Sequence, residues 1–93
     1  MIDKCMDLIR LSTHRADEYY RAITTWATSR RNNGSIKALL KLGLAYKTAL
    51  NKALLCLRGL KRSEPVEQEI AKTNEYKSMI SADLELLKSI KDS

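Results

Sequence analysis

The sequence predicts an all-α fold, an elongated antiparallel up-down-up three-helix bundle with coiled-coil-like heptad packing. Apolar residues recur at alternating steps of three and four through three long segments, the spacing of one helix face packed against a partner. Two short stretches rich in capping and turn residues, 29–35 and 63–65, separate these segments. The composition, 44% hydrophobic and 30% charged with one Pro, is typical of a folded helical domain.

The first helix is predicted over residues 2–30. Its core-facing positions are Ile2, Cys5, Ile9, Ser12, Ala16, Tyr19, Ile23 and Trp26. Only Ser12 interrupts this apolar series. Because Ser12 and Thr13 could also cap a break in the helix, an alternative fold with four shorter helices stays open.

The second helix is predicted over residues 36–61. Asn33 and Gly34 tolerate the left-handed conformation that ends a helix, and Ser35 can cap the next one. The core-facing positions are Ile36, Leu39, Gly43, Tyr46, Leu50, Ala53, Leu57 and Leu60. The segment therefore returns antiparallel to the first helix, because the turn between them is short.

The third helix is predicted over residues 64–91. Ser63 supplies a cap residue, Glu64 an acid for the helix dipole, and Pro65 a residue whose missing N–H is harmless in a first turn. The core-facing positions are Val66, Ile70, Thr73, either Tyr76 or Lys77, Ile80, Leu84, Leu87 and Ile90. With 93 residues and three equal helices, the chain 1–93 is predicted to be a single domain.

Antiparallel pairing about the two turns predicts which residues share a layer of the bundle. One layer is predicted to contain the small residues Ala22, Gly43 and Ala82. The adjacent layer is predicted to hold Tyr19, Tyr46 and Ile80. Small residues permit close backbone approach, and the bulky neighbours then fill the volume beside them.

The cysteine pattern and the hydropathy favour an intracellular chain. Cys5 and Cys56 have no CxxC spacing and no companion histidine, so we expect two reduced, mostly buried thiols, although an antiparallel hairpin would place them near the same end. Asp3 and Asp7 interrupt the N-terminal segment, which argues against a secretory signal. The longest apolar run, 53–57, is too short to span a membrane. We therefore predict a cytoplasmic protein that does not enter membranes.

No residue pattern indicates catalysis or cofactor binding. His14, Asp17 and Glu18 lie within one helical turn, but three ligands from one helix make a poor metal site, and ordinary surface pairing explains them. The chain has one His and no nucleophile with an orienting partner. We predict that it is not an enzyme and holds no cofactor or metal.

The aromatic residues could serve either as core or as a base-stacking platform. Tyr19, Tyr46 and Trp26 occupy core-facing positions, which favours packing over stacking. Tyr20 flanks that face and is compatible with both roles.

The second helix carries an unusual mixture of lysine and leucine on the face opposite the core. Residues 19–63 contain ten basic residues and no acid, so the cations of this face have no carboxylate partner one turn away. At 100° per residue the cations and three leucines form one band. The predicted partner-binding residues are Lys37, Leu40, Lys41, Leu44, Lys47, Lys52, Leu55, Arg58 and Arg62.

Leucines among unpaired cations suit a partner that is both apolar and acidic, which describes a protein surface better than a phosphate backbone. We therefore predict a non-catalytic helical module that binds a larger protein, as a small regulator or inhibitor. Small phage and plasmid accessory proteins often act in this way, which is an analogy only. The alternative is that this face binds no partner and is simply exposed to solvent, because single exposed leucines are common on protein surfaces.

Two other partners stay open. The alternative function is nucleic-acid binding, and the residues that would neutralise phosphates are Arg30, Arg31, Lys37, Lys41, Lys47, Lys52, Arg58, Lys61 and Arg62. A homodimer is also compatible with the pattern, because the second helix is basic and the third is acidic. In that dimer Leu44 and Leu55 would be buried against the third helix of the second copy.

Overall fold

The protein is a three-helix bundle, as predicted, in a computed structural model that describes residues 3–28 and 35–92. Within these ranges the helices are α1 (Asp3–Thr28), α2 (Ser35–Arg58) and α3 (Glu64–Asp92), and their ends differ from the predicted ends by up to three residues. The molecule measures 48 × 20 × 16 Å. The predicted core residue Ile2 and the turn residues 29–34 lie outside the described residues.

Helix α1 is continuous, so the alternative with four shorter helices is wrong. The hydroxyl of Ser12 donates to the carbonyl of Ile9 at 2.7 Å, and the hydroxyl of Thr13 donates to the same carbonyl at 3.1 Å. Both side chains therefore bond back into the helix that contains them, instead of capping a new one.

The turn between α2 and α3 begins at Gly59, inside the segment predicted as helix, and ends at Ser63, the predicted cap residue. The amide of Gly59 donates to the carbonyls of Leu55 and Cys56, at 3.3 and 3.1 Å, which closes the last turn of α2. The carbonyl of Ser63 accepts from the amide of Glu67 at 2.9 Å, which is the first hydrogen bond of α3. This short connection makes α2 and α3 antiparallel.

Helix α2 is the central element and contributes to both hydrophobic clusters. The larger cluster contains Tyr19, Leu39, Tyr46, Leu50, Ile80, Leu84 and Leu87. The smaller cluster contains Cys5, Leu54, Leu57, Val66 and Ile70. Each buried Leu, Ile or Val stabilises the fold by roughly 1.5–3 kcal/mol relative to exposure. No Cα atom of α1 lies within 8 Å of a Cα atom of α3 in the described ranges, so the outer helices are held mainly through α2.

The heptad pattern predicted most of this core, but it understated the buried face of α2. Ala49 and Leu54 are buried although they lie beside the predicted stripe. The reason is that α2 packs against α1 on one side and α3 on the other, so a wider arc is covered. On α3, Lys77 is half-buried and Tyr76 exposed, while Ile90, predicted in the core, is 39% exposed.

Gly43 allows side chains of α1 and α3 to pack directly against the backbone of α2. A Cβ atom at this position would lie 2.7 Å from Leu84 Cδ2 and 3.2 Å from Tyr19 Cε1. Tyr19, Tyr46 and Ile80 belong to one cluster, as predicted. The predicted small-residue layer is wrong in one member, because Ala82 is exposed. Large side chains from α1 and α3, instead of small ones, fill the space beside Gly43.

The expectation of two reduced thiols is wrong, because Cys5 and Cys56 form a disulfide with their Cα atoms 5.8 Å apart. Cys5 is fully buried and belongs to the smaller cluster. Antiparallel pairing brings the start of α1 level with the end of α2. No local spacing could signal this bond, since the two residues are 51 positions apart.

Candidate functional site

The exposed face of α2 is the candidate site. Leu44 is 50% exposed and Leu55 is 71% exposed, and cations surround both. We call this the Leu–Lys surface, and its members are Lys37, Lys41, Leu44, Lys52, Leu55 and Arg58. All six lie on the side of α2 turned away from its contacts with α1 and α3, because the buried residues of α2 occupy the opposite arc.

The remaining residues predicted for partner binding lie at the margins of this surface. Leu40 is half-buried and packs against the larger cluster, and Lys47 is also half-buried. Arg62 is exposed beyond the end of α2, with its guanidinium 3.8 Å from the carboxylate of Glu67. Lys61, predicted for nucleic-acid binding, is exposed near it.

The other two residues predicted for nucleic-acid binding, Arg30 and Arg31, lie outside the described residues. The structure therefore brings together only the part of the basic set that α2 and the following turn carry. The members on α2 are spread along that helix, and Lys61 and Arg62 lie in the turn beyond its end.

Among the described residues, none of the five cations of α2 has a carboxylate partner, whereas α1 and α3 each have cations with a partner beside others, such as Lys4 and Lys77, that form no ion pair within 4.0 Å. Arg21 pairs with Asp17 at 3.2 Å on α1, and Lys72 pairs with Glu69 at 3.5 Å on α3. Across residues 35–58 no ion pair within 4.0 Å is formed, since α2 contains no acid and the acids of α1 and α3 lie elsewhere. Lys37 also lies near the N-terminus of α2, where the helix dipole disfavours positive charge.

The tyrosines form an aromatic cluster, and the predicted core role of Tyr19 and Tyr46 is confirmed. The ring centroids of Tyr19 and Tyr46 lie 6.4 Å apart, and Tyr20 packs edge-on against both, at 5.1 and 6.2 Å. Tyr20 is partly exposed. The hydroxyl of Tyr19 donates to Asp83 Oδ2 at 3.2 Å and so joins α1 to α3.

A groove between α1 and α3 escaped the sequence analysis. It has a volume of about 380 Å³ and is lined by Thr13, Ala16, Tyr20, Tyr46, Tyr76 and Met79. It exists because the outer helices stay apart at this level while Tyr46 of α2 forms its floor. In the sequence, Tyr76 and Met79 lie beside the core-facing positions of α3. Two such residues on one helix do not predict a groove, because a groove also depends on the position of α1.

Burial changes the ionisation of these tyrosines. It raises the pKa of Tyr46 to about 12, with further contributions from Tyr20 and Tyr76. Burial, and then the neighbouring Asp83 carboxylate, raise the pKa of Tyr19 well above 10 and also raise the pKa of Tyr20. All three hydroxyls therefore stay protonated in the folded protein at neutral pH.

These shifts predict a loss of stability at alkaline pH. The folded state holds the tyrosine protons more tightly than the unfolded state, so their contribution is complete below about pH 10 and falls as the pH rises toward about 12. Urea unfolding over this range should show the decline, and the Tyr46→Phe variant should show a smaller one. An unfolding midpoint that stays constant to about pH 12 would contradict the assignment.

The cluster of His14, Asp17 and Glu18 is engaged in pairing along α1. Glu18 lies 2.6 Å from the guanidinium of Arg15 and 3.8 Å from His14 Nε2, and Asp17 pairs with Arg21. Among the described residues no group of three His, Cys, Asp or Glu side chains is arranged to hold a metal ion.

Comparison with known proteins identifies no relative of this chain. No family model, no curated protein and no solved structure matches it. None of the helices in the described ranges has the length and apolar character needed to cross a membrane.

Proposed function

We propose that this chain is a non-catalytic protein-interaction module that regulates or inhibits a larger protein by binding it through the Leu–Lys surface. One observation carries the proposal, namely that Leu44 and Leu55 stand exposed among cations that have no carboxylate partner within residues 35–58. Such a surface gains free energy from a partner that supplies both apolar area and negative charge.

The binding free energies expected from the leucines and from the cations give the two kinds of residue different roles. Covering an exposed leucine contributes up to roughly 1.5–3 kcal/mol, in proportion to the area still in water. A surface ion pair contributes only about 0–1 kcal/mol. The leucines therefore account for most of the affinity, and the cations account for partner selection and the rate of association.

A phosphate backbone would use the cations and leave the leucines in water. Nucleic-acid binding through backbone contacts depends on counterion release from Lys and Arg, with little contribution from aliphatic side chains. The exposed leucines therefore favour a protein partner over nucleic acid.

The proposal predicts the composition of peptides that bind the protein. A random peptide library selected on the folded chain, with the Leu44→Ser/Leu55→Ser variant for counter-selection, should yield helical peptides that combine Asp or Glu with Leu, Ile or Phe. The variant should keep its fold, because both leucines point into water. Leu11→Ser, on the exposed face of α1, is the matched control and should bind the selected peptides as the wild type does.

Two results would overturn this proposal. One is a selection in which no peptide distinguishes the wild type from the double variant. The other is tight binding of labelled DNA or RNA at physiological salt, measured by fluorescence anisotropy, with a steep dependence on salt and no effect of Leu44→Ser/Leu55→Ser. That second result would establish the nucleic-acid alternative.

The cytoplasmic location stays a proposal from the sequence alone, and the Cys5–Cys56 disulfide argues against it, because structural disulfides persist mainly in oxidising compartments and cytosolic thiols are mostly kept reduced. The Leu–Lys surface itself does not include either cysteine.

A further inference from the structure

We infer that the groove between α1 and α3 binds a small, free organic cation of the trimethylammonium class, held by three tyrosine rings and a neighbouring carboxylate. The rings are those of Tyr20, Tyr46 and Tyr76, and the carboxylate is that of Asp83. The inference does not rest on the proposed function, because it concerns another face of the molecule. Tyr46 on the groove floor and Leu55 on the Leu–Lys surface are nine residues apart, which places them on opposite sides of α2.

The groove has the size and the lining of a small-ligand site. Its volume is about 380 Å³, and its lining residues are Thr13, Ala16, Tyr20, Tyr46, Tyr76 and Met79. Concave sites of this size, lined mainly by aromatic and apolar side chains, are typical of small-ligand binding. Tyr20 is 41% exposed, Tyr76 43% and Met79 51%, so a ligand that covers these side chains gains free energy from their apolar surface.

The tyrosine side chains are grouped closely enough to act on one ligand. The ring centroids of Tyr20 and Tyr46 lie 6.2 Å apart with the ring planes at 69°, so the two rings stand as adjacent walls. Tyr76 lies close enough to Tyr46 to contribute, with Tyr20, to the raised pKa of the Tyr46 hydroxyl. The face of an aromatic ring attracts a cation, and a group of aromatic rings around one volume is the usual site for a quaternary ammonium group.

The charges around the groove favour a cation. The chain has 17 basic residues and a net charge of +6, yet no lysine or arginine lines the groove. The Asp83 carboxylate accepts a hydrogen bond from Tyr19 at 3.2 Å and raises the pKa of Tyr20, so a negative charge lies beside the rings. Among the described residues no basic side chain pairs with Asp83 within 4.0 Å. Lys72, one turn before the groove residues of α3, is paired with Glu69 at 3.5 Å.

The apolar lining selects the kind of cation. An inorganic divalent cation needs several oxygen ligands, and among the described residues no group of three His, Cys, Asp or Glu side chains is arranged to hold one. A primary ammonium group has three N–H donors that each need an acceptor. A trimethylammonium group has no N–H donor, and its methyl groups can contact the tyrosine rings, Ala16 and the Met79 side chain directly. The groove therefore suits the trimethylammonium class best.

Titration of the full, disulfide-bonded chain with choline tests the site, with amide chemical shifts followed by NMR at constant ionic strength. We expect saturable binding with a Kd below about 10 mM, and shift changes centred on Ala16, Tyr46 and Met79. The neutral molecule 3,3-dimethylbutan-1-ol has nearly the same shape as choline but no charge. It should bind at least about tenfold more weakly, because neither the rings nor Asp83 attract it electrostatically.

Matched variants separate the ring from the charge. Tyr76→Leu keeps an apolar side chain but removes the ring, and it should weaken choline binding at least about tenfold, whereas Tyr76→Phe keeps the ring and should bind within about threefold of the wild type. Asp83→Asn removes the charge, keeps an acceptor for the Tyr19 hydroxyl, and should weaken binding by about fivefold. Leu44→Ser/Leu55→Ser is the control on the opposite face and should bind choline as the wild type does. Circular dichroism confirms that each variant is folded.

Four outcomes would overturn the inference. The first is choline binding that does not saturate by about 50 mM. The second is equal affinity for choline and its neutral counterpart, and the third is a Tyr76→Leu variant that binds choline as the wild type does. The fourth is co-sedimentation with phosphatidylcholine vesicles without binding of free choline, which would assign the groove to a lipid head group. The peptide selection on Leu44 and Leu55 is independent of all four, so the proposed function can stand or fail separately.

Discussion

Replacing Tyr19 by Ala should lower the free energy of unfolding by about 3–5 kcal/mol, the usual cost of removing a buried aromatic side chain. Tyr19 is fully buried and packs against the rings of Tyr20 and Tyr46. Its hydroxyl also bonds to Asp83, and so connects α1 to α3 where no Cα atoms of the two helices come close. Urea unfolding at neutral pH measures the effect.

The Tyr19→Phe variant separates packing from the hydrogen bond. It keeps the ring and removes only the hydroxyl, so its loss should be about 0.5–1.5 kcal/mol. Equal losses for the Ala and Phe variants would show that the hydrogen bond, and not the packing, is dominant. A loss below about 1 kcal/mol for Tyr19→Ala would contradict the burial of this ring.

Reducing the Cys5–Cys56 disulfide should lower the free energy of unfolding by about 2–4 kcal/mol. The bond joins residues 51 positions apart, so it restricts the unfolded chain strongly. It also joins the ends of α1 and α2 beside the smaller cluster. Urea unfolding of the oxidised protein, with and without reductant, measures the difference.

A matched variant tests whether the disulfide is the cause. Cys5→Ala/Cys56→Ala should be about as stable as the reduced wild type and should not respond to reductant. Circular dichroism should show that all forms remain helical, because the larger cluster does not include either cysteine. Equal stability of the oxidised and reduced wild type would refute the role assigned to this bond.

The sequence correctly predicted which residues are exposed at the centre of the candidate site, but it was less accurate for the residues at the margins. The helical position of Leu44 and Leu55, opposite the core, follows from counting residues along α2, and both are exposed as that counting implies. Leu40 and Lys47 were included by the same counting, yet both are half-buried. They lie closer to the buried arc of α2 than Leu44 and Leu55 do, and the width of that arc depends on neighbouring helices and is not encoded in the periodicity of one segment.

The sequence by itself determined the helices and their inward faces, since side-chain periodicity and capping are local properties of the chain. Only the tertiary structure decided the Cys5–Cys56 bond, the packing of Tyr19 and Leu84 beside Gly43, and the groove floored by Tyr46. Each of these depends on the register and separation of helices, which are set by the fit of side chains far apart in sequence. The periodicity of one helix shows which residues face inward, but it does not show what they will meet.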